Sequence, residues 1–290
     1  LTAPESGVLY LCATPIGNLE DITLRVLRVL QEVDLIAAED TRHTRKLLNH
    51  YDIRAELTSY HDHNRRSKGE NLLQQLAAGQ NVALVSDAGM PGISDPGEEL
   101  VVEALKRGIP VIPLPGPSAL ITALVVSGLS AERFVFEGFL PRKNKDRAGR
   151  LSELATEGRT IIIYEAPHRL IKTLEELLNC LGDRPACAAR ELTKRYEEVR
   201  RGSISQLLEH FSAHAPKGEF VLVVGGYSGS RETAAEGWED RSLTPDEQVR
   251  ILTDEGLSPN EAIKKVARLM GISRRELYQR LKTNRTGKEK

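Results

Sequence analysis

What most constrains this chain is an alternation: short apolar runs that end in Gly/Pro-rich loops and feed amphipathic stretches. Residues 8–13 are apolar and stop at Thr-Pro-Ile-Gly-Asn (14–18). The stretch 24–33 then sets Val26, Leu27, Leu30 and Val33 on one helical face. Further strand-like runs follow at 34–38, 57–60, 82–86 and 111–114, the last running into Pro-Gly-Pro. Between them, 41–50, 70–78 and 96–107 read as helices. Apolar strands alternating with such helices predict βαβ crossovers and a largely parallel sheet.

The second half changes character. Residues 134–139, 160–164, 186–192, 196–202 and 220–224 read as strands, with helices at 168–181 and 205–213. The short gap 193–195 allows a hairpin, so a mixed sheet and a second α/β lobe are expected. The expected division is an N-terminal lobe over 1–118, a second lobe over 119–227, a Gly/Ser/acid-rich linker over 228–243, and a basic helical appendage over 244–290. The appendage has three helix starts of one design, at Thr244, Ser258 and Ser273. Each is a hydroxyl N-cap with Glu three residues later (Glu247, Glu261, Glu276), and Gly271 is a natural helix stop.

Charge and cysteine content narrow the chemistry. The formal net charge is −1, so no global positive field draws in nucleic acid. Two local clusters remain. Arg142, Lys143, Lys145, Arg147 and Arg150 form a basic loop, and 260–290 holds ten Lys/Arg against three Asp/Glu, formally +7. Either cluster is a phosphate contact or a solvated face. Cys12, Cys180 and Cys187 lie in apolar stretches without metal-ligand spacing, and read as reduced, buried thiols. No metal is expected. No apolar run is long enough to cross a bilayer and 1–7 lacks a secretory pattern, so a cytoplasmic protein is expected.

Three loops, 14–18, 86–97 and 114–118, share one logic. Each follows a strand, precedes a helix and is rich in Gly and Pro. Ligands of open α/β sheets sit at such carboxyl ends, beside free helix N–H groups. Asp87 should face that crevice. Signatures for nucleoside triphosphates, dinucleotides, α/β-hydrolases and zinc proteases are all missing.

The blocks ATPIGNLEDIT (13–23), AAEDTRHTRKLL (37–48), ALVSDAGMPGISDPG (83–97), PLPGPSALITAL (113–124), FEGFLP (136–141), YEAPHR (164–169), ARELTK (189–194) and KGEFVLVV (217–224) carry a resemblance. In order, they resemble the bacterial 16S rRNA cytidine-2′-O-methyltransferases of the tetrapyrrole methylase superfamily. The resemblance implies a two-lobed α/β fold, with a mostly parallel first sheet and a mixed second sheet. It implies S-adenosylmethionine between the lobes, a homodimer, and 16S rRNA within the small ribosomal subunit as substrate. By motif position, Pro15, Asp87, Met90, Ser118 and Ala119 would line the cofactor from the first lobe. Tyr164, Ala189, Arg190 and Glu219 would approach it from the second.

Methyl transfer to a ribose 2′-hydroxyl needs the hydroxyl aligned and its proton removed. Glu39, Asp40, Arg42, His61 and His63 are the candidates from the residues themselves, the first four foremost. Asp40 and Arg42 suit catalysis and phosphate contact somewhat better than the alternative, a helix N-cap. His61 belongs to a His-Asp-His-Asn run that is equally a satisfied surface loop. Arg142, Lys143, Lys145 and Arg147, with His168 and Arg169 after a second-lobe strand, are candidate RNA contacts. Two rival readings remain: a corrin or porphyrin methylase, and a non-catalytic ribosome-binding or assembly factor.

Overall fold

The computed structural model describes residues 6–228, 244–254, 258–269, 273, 274, 277 and 278. The chain divides into two compact units, Leu1–Tyr227 and Ser228–Lys290.

The first sheet of the larger unit contains β1 (Leu9–Cys12), β2 (Leu35–Ala38), β3 (Leu57–Ser59), β4 (Val82–Val85) and β5 (Val111–Leu114). Their order is β3-β2-β4-β1-β5, and every pairing is parallel. Helices α1 (Leu24–Glu32), α2 (Thr41–His50), α3 (Arg65–Ala77) and α4 (Glu98–Lys106) make the crossovers. Strand periodicity explains why β2 and β4 are apolar at every position. Ile36, Ala38, Ala83 and Val85 pack with α1 and α2, while Leu35, Ala37, Val82 and Leu84 pack with α3 and α4. A sheet covered on both faces needs such unbroken apolar runs. Thr23 caps α1 by accepting from Val26 N at 3.2 Å, and Val26, Val29 and Leu30 form its buried face. The α3 helix starts at Arg65, earlier than its apolar residues alone suggest.

The second sheet contains β6 (Phe134–Phe139), β7 (Thr160–Glu165), β8 (Pro185–Arg190), β9 (Glu198–Ser203) and β10 (Phe220–Val224), in the order β6-β7-β10-β8-β9. It is mixed: β6–β7 is parallel and the other pairings are antiparallel, including the β8–β9 hairpin. One face packs on α5 (Ala119–Ser127) through Ala123, Leu124, Ile162, Cys187 and Val223. The other packs on α6 (Asn144–Leu154), α7 (Pro167–Leu181) and α8 (Ile204–Ala213).

Three expectations change here. A helix, α5, occupies residues read only as a lobe boundary. The basic loop 142–150 is largely helix α6, whose inner face is Arg147, Leu151 and Leu154. Cys12 and Cys187 are buried, with burial pushing the Cys12 thiol up to about 12, but Cys180 is exposed.

The smaller unit contains α9 (Pro245–Asp254) and α10 (Pro259–Leu269). The expected capping box is formed at Thr244: its N–H donates to Glu247 Oε2 at 2.7 Å, and Glu247 N donates back to Thr244 Oγ1 at 3.5 Å. Leu252, Ala262, Ile263, Val266, Ala267 and Leu277 are buried together. Gly271, most of the linker and most of the third helix start lie outside the described residues. No helix among the described residues is long and apolar enough to cross a membrane.

Candidate functional site

Strands β4, β1 and β5 are adjacent, so the three Gly/Pro loops at their carboxyl ends lie side by side despite their distance in sequence. Thr14 and Gly89 exchange backbone hydrogen bonds of 2.9 and 3.0 Å, and Thr14 Oγ1 donates to the Ser86 carbonyl at 3.0 Å. On the far side of β4, the end of β2 adds Glu39. Facing these loops are Phe139, the turn 164–168, the turn after β8, and the start of β10. Together they enclose a cavity of about 590 Å³, within the range of small-molecule sites.

The lobes meet along one rim of this cavity. The N–H of Asn18 donates to Thr193 Oγ1 at 3.0 Å. Glycine at 17 permits this close approach: a Cβ would fall 2.4 Å from Lys194 Cγ and 2.9 Å from Thr193 Oγ1, so those side chains would have to shift. Thr193 and Glu191 both hold positive φ, at 67° and 48°, which is strained for a β-branched threonine. The turn is held by Thr193 N donating to Glu197 Oε2 at 2.6 Å and Glu219 N donating to Glu191 Oε1 at 3.0 Å. Gly17→Ala should therefore destabilise the larger unit by roughly 1–3 kcal/mol through overpacking and weaken ligand binding in the cavity. Thermal denaturation with and without ligand checks this; an unchanged melting temperature would contradict so close an approach.

The cavity is acidic. Its wall carries Glu39, Asp87, Asp95, Glu165, Glu191 and Glu219, and among the lining residues the one lysine or arginine is Lys194. Lys194 is already committed to Glu191 and Glu219, at 3.0 and 2.8 Å. Burial, then the charge of Glu39, push the Asp95 carboxyl up to about 7 against an opposing hydrogen bond from Ser86. Burial and then Asp87 also raise Glu39. Glu165 is paired with Arg169 at 3.3 Å, which leaves Glu39, Asp87 and Asp95 without an ion pair among the described residues. Carboxylates crowded in this way favour a ligand that brings positive charge. Apolar residues such as Ile16, Leu120, Leu192 and Val221 complete the lining.

Of the residues expected at a cofactor, Asp87, Met90, Ser118, Ala119, Tyr164, Ala189 and Glu219 line this cavity, and so do Glu39 and His168. Two others do not. Pro15 lines a separate cavity of about 140 Å³ with His43 and Lys46, and Ile16 takes the cleft position. Arg190 follows Ala189 on the strand, so alternation turns it away, and it pairs with Glu198 at 3.0 Å.

The candidate catalytic residues separate in the same way. Asp40 caps α2, accepting from Arg42 N at 2.8 Å, while Arg42 folds back on it through Nε and Nη2. That pairing holds the Asp40 carboxyl well below the usual carboxylate range, and neither side chain lines the cleft. His61 does not line the cavity; its Nδ1 is buried without a hydrogen-bond partner, and its Nε2 is 3.3 Å from Asn64 Nδ2.

Among the candidate RNA contacts, Arg142, Lys143 and Lys145 are exposed at the start of α6. Arg147 is not available to a phosphate: it is buried, donating to Glu176 Oε2 at 2.5 Å and Thr173 Oγ1 at 2.6 Å. Arg150 is likewise clamped on Glu137, at 2.6 and 2.7 Å. Arg169 is held by Glu165 at 3.3 Å and by the Leu140 carbonyl at 2.8 Å. Sequence reasoning missed Asp95; its signal was a carboxylate between Ser94 and Pro96 in a loop that must turn back over the cleft.

Residues 8–208 match the family of tetrapyrrole (corrin/porphyrin) methylases. The chain is 50% identical over 274 residues to ribosomal RNA small subunit methyltransferase I of Halalkalibacterium halodurans, covering 94% of each chain. It is 51% identical over 278 residues to the protein of the same name from Synechocystis sp., covering 94% of this chain and 96% of that one. Among solved structures, a cobalt precorrin-4 methyltransferase of cobalamin biosynthesis aligns with a TM-score of 0.58 at 18% identity, covering 75% of this chain and 94% of that chain. Uroporphyrin-III C-methyltransferase of Thermus thermophilus, complexed with S-adenosylhomocysteine, aligns with a TM-score of 0.54 at 22% identity, over 76% of this chain and 97% of that one. At those identities the likeness is one of fold. The profile match from β1 into α8, with relatives about half identical along nearly their whole length, shows that this chain belongs to the tetrapyrrole (corrin/porphyrin) methylase family, in its ribosomal RNA small subunit methyltransferase I branch.

Proposed function

We propose that this chain transfers a methyl group from S-adenosylmethionine to the ribose 2′-hydroxyl of a cytidine in the decoding region of 16S rRNA. The observation that carries the cofactor reading is the acid-rich, largely cation-free cavity between the lobes. S-adenosylmethionine carries a sulfonium and an ammonium, and its adenosine suits the apolar lining. When bound, it supplies the electrophilic methyl; the protein must hold the acceptor in line, exclude water and take a proton. Asp87, Met90, Ser118, Ala119, Tyr164, Ala189 and Glu219 would surround the cofactor. Asp95 would face its positive charge, and Glu39 is the candidate proton acceptor for the 2′-hydroxyl.

Asp95 gives this reading a pH signature. With its carboxyl raised to about 7, the cofactor-free protein is protonated there at acid pH and must release that proton to face a cation. Affinity for S-adenosylmethionine should therefore rise as pH increases through about 7, by up to about tenfold per unit below it. The folding sign is opposite to the usual aspartate. A raised folded pKa makes the apo protein bind more protons than the unfolded chain between about 4 and 7, so apo stability falls across that window. Asp95→Asn should raise the apo melting temperature at pH 8 and weaken cofactor binding roughly 10- to 100-fold. Calorimetric titration at several pH values checks both; affinity independent of pH would remove Asp95 from the cofactor's charge balance.

Arg142, Lys143, Lys145 and His168 lie at the cleft or just beyond β6 and are candidate phosphate contacts. The basic appendage is a second candidate. With net charge −1, contact with free RNA is weak, and an assembled small subunit supplies recognition by its shape. The protein should label rRNA in small subunits that lack this modification, and label naked rRNA fragments far less well. Equal labelling of both would overturn the subunit requirement. Cofactor binding without transfer to rRNA would favour an assembly factor, and transfer to a corrin or porphyrin would favour the other family activity.

A homodimer working in the cytoplasm completes the proposal. The α5 helix exposes Ile121 and Val125, at 45% and 72%, an apolar pair suited to a second copy. Sedimentation at the mass of one chain would contradict it.

A further inference from the structure

Phe139 stands apart from the other aromatic side chains of the cleft. It is the most exposed of the five phenylalanines, at 55%, while Phe211 and Phe220 are each at 2%. Yet it lines the mouth of the cavity, its ring centroid 5.8 Å from that of Tyr164 at an interplanar angle of 64°.

Its position comes from a defect built into β6. Phe136 pairs with Ile162, but Gly138 pairs with Ile163 and Phe139 with Tyr164, so Glu137 is an extra residue. In an unbroken strand Phe139 would share a face with Val135, which packs into the core beneath α6 and α7. The one-residue slip returns it to the face of Phe136 and Tyr164, which is the cleft face. Two contacts fix the bulge. Glu137 is clamped by Arg150 of α6. Gly138, at φ 62°, abuts the first lobe: a Cβ there would fall 2.9 Å from Ser94 Oγ. Such a device is specific, and it exposes a large apolar ring to water.

The surroundings say what covers that ring. Arg142, Lys143 and Lys145 follow within six residues, all exposed, and none forms an ion pair among the described residues. An exposed aromatic face beside unneutralised cations matches a single strand of nucleic acid, whose bases stack while its phosphates meet the cations. We propose that Phe139 is a substrate-positioning residue: a stacking platform for a base of the RNA strand at the methylation cleft, set there by the β6 bulge. This rests on the reading of rRNA as substrate.

The test compares wild type with Phe139→Ala, Phe139→Leu and Phe139→Tyr, in label transfer to unmodified small subunits and in S-adenosylmethionine affinity. Phe139→Ala and Phe139→Leu should both lower kcat/KM for subunits, by about 5- to 150-fold, the worth of one stacked base, chiefly through KM. Phe139→Tyr should restore most of it, and cofactor affinity should stay within about twofold in all three. The proposal is overturned if Phe139→Leu performs as wild type, since leucine keeps the apolar bulk and loses the ring. It is also overturned if the loss follows cofactor affinity, which would make Phe139 part of the cofactor site. If wild type itself transfers no label to rRNA, the substrate reading fails first, and this inference with it.

Discussion

Replacing Arg147 with methionine is expected to destabilise the larger unit by about 3–5 kcal/mol, the usual consequence of removing one partner from a buried ion pair. Arg147 is 4% exposed and faces Glu165, itself 2% exposed, across 3.9 Å. Its Nε donates to Glu176 and its Nη2 to Thr173, whose hydroxyl in turn donates to Glu165 Oε2 at 2.5 Å. The arginine thereby joins α6 to α7 and to the end of β7. Methionine would fill much of the volume but leave Glu165 with Arg169 as its remaining charged partner. Lysine should recover only part of the loss, because one ammonium cannot reproduce the forked geometry. Glu165→Gln added to Arg147→Met should restore part of the stability by removing the stranded charge, and a double-mutant cycle by chemical denaturation reads the coupling. Additive losses would show that the two side chains act independently. The turn after Glu165 carries Ala166, Pro167 and His168 into the cleft, so the single variant should also bind cofactor less well.

Arg147 also shows where a sequence stops being legible. The cluster of Arg142, Lys143, Lys145, Arg147 and Arg150 reads as one basic surface, yet Arg147 is turned inward and Arg150 is held by Glu137. The signal was present: Arg147 lies four and seven residues before Leu151 and Leu154, the spacing of one helical face, and all three are buried. Local charge density masked that period. The parallel sheet was legible because its strands are covered on both faces and so are apolar throughout. The three Gly/Pro loops were legible because close backbone approach restricts residue choice. That they become neighbours follows from the strand order β4-β1-β5, which no local pattern states. The β6 bulge was invisible, since a slip of one residue leaves composition unchanged while moving Phe139 to the opposite face. Asp95 went unread because the Gly-x-x-Asp-Pro-Gly run (92–97) marks a ligand loop without singling out its carboxylate; only the folded loop sets it near Glu39 and Asp87.

The second large effect concerns Glu39. If it takes the 2′-hydroxyl proton, Glu39→Gln should lower kcat by roughly 10²- to 10⁴-fold while changing cofactor affinity little. Glu39 lines the cavity, and burial, followed by the charge of Asp87, raises its carboxyl above the ordinary range. That makes it a better proton acceptor than an exposed glutamate. The sign with pH follows directly: the group accepts only when ionised, so kcat should fall as pH drops through its raised pKa, and the glutamine variant should lose that limb. Asp40 provides the contrast. Its carboxyl is spent on capping α2 and on Arg42, so Asp40→Asn should leave kcat nearly intact. A Glu39→Gln enzyme within about twofold of wild type would remove Glu39 from the proton path and leave alignment by the cleft as the main contribution.

These proposals share one centre, a cavity that holds a cationic methyl donor against an RNA strand. The most direct measurement locates the transferred methyl. Unmodified small subunits would be incubated with the protein and labelled S-adenosylmethionine, and the extracted rRNA hydrolysed in alkali. A 2′-O-methyl group blocks alkaline cleavage at its own nucleotide, so the label should emerge in one resistant dinucleotide, with mass spectrometry placing it on the ribose of a cytidine. Label released as a mononucleotide methylated on its base, or absent from the rRNA altogether, would contradict the account.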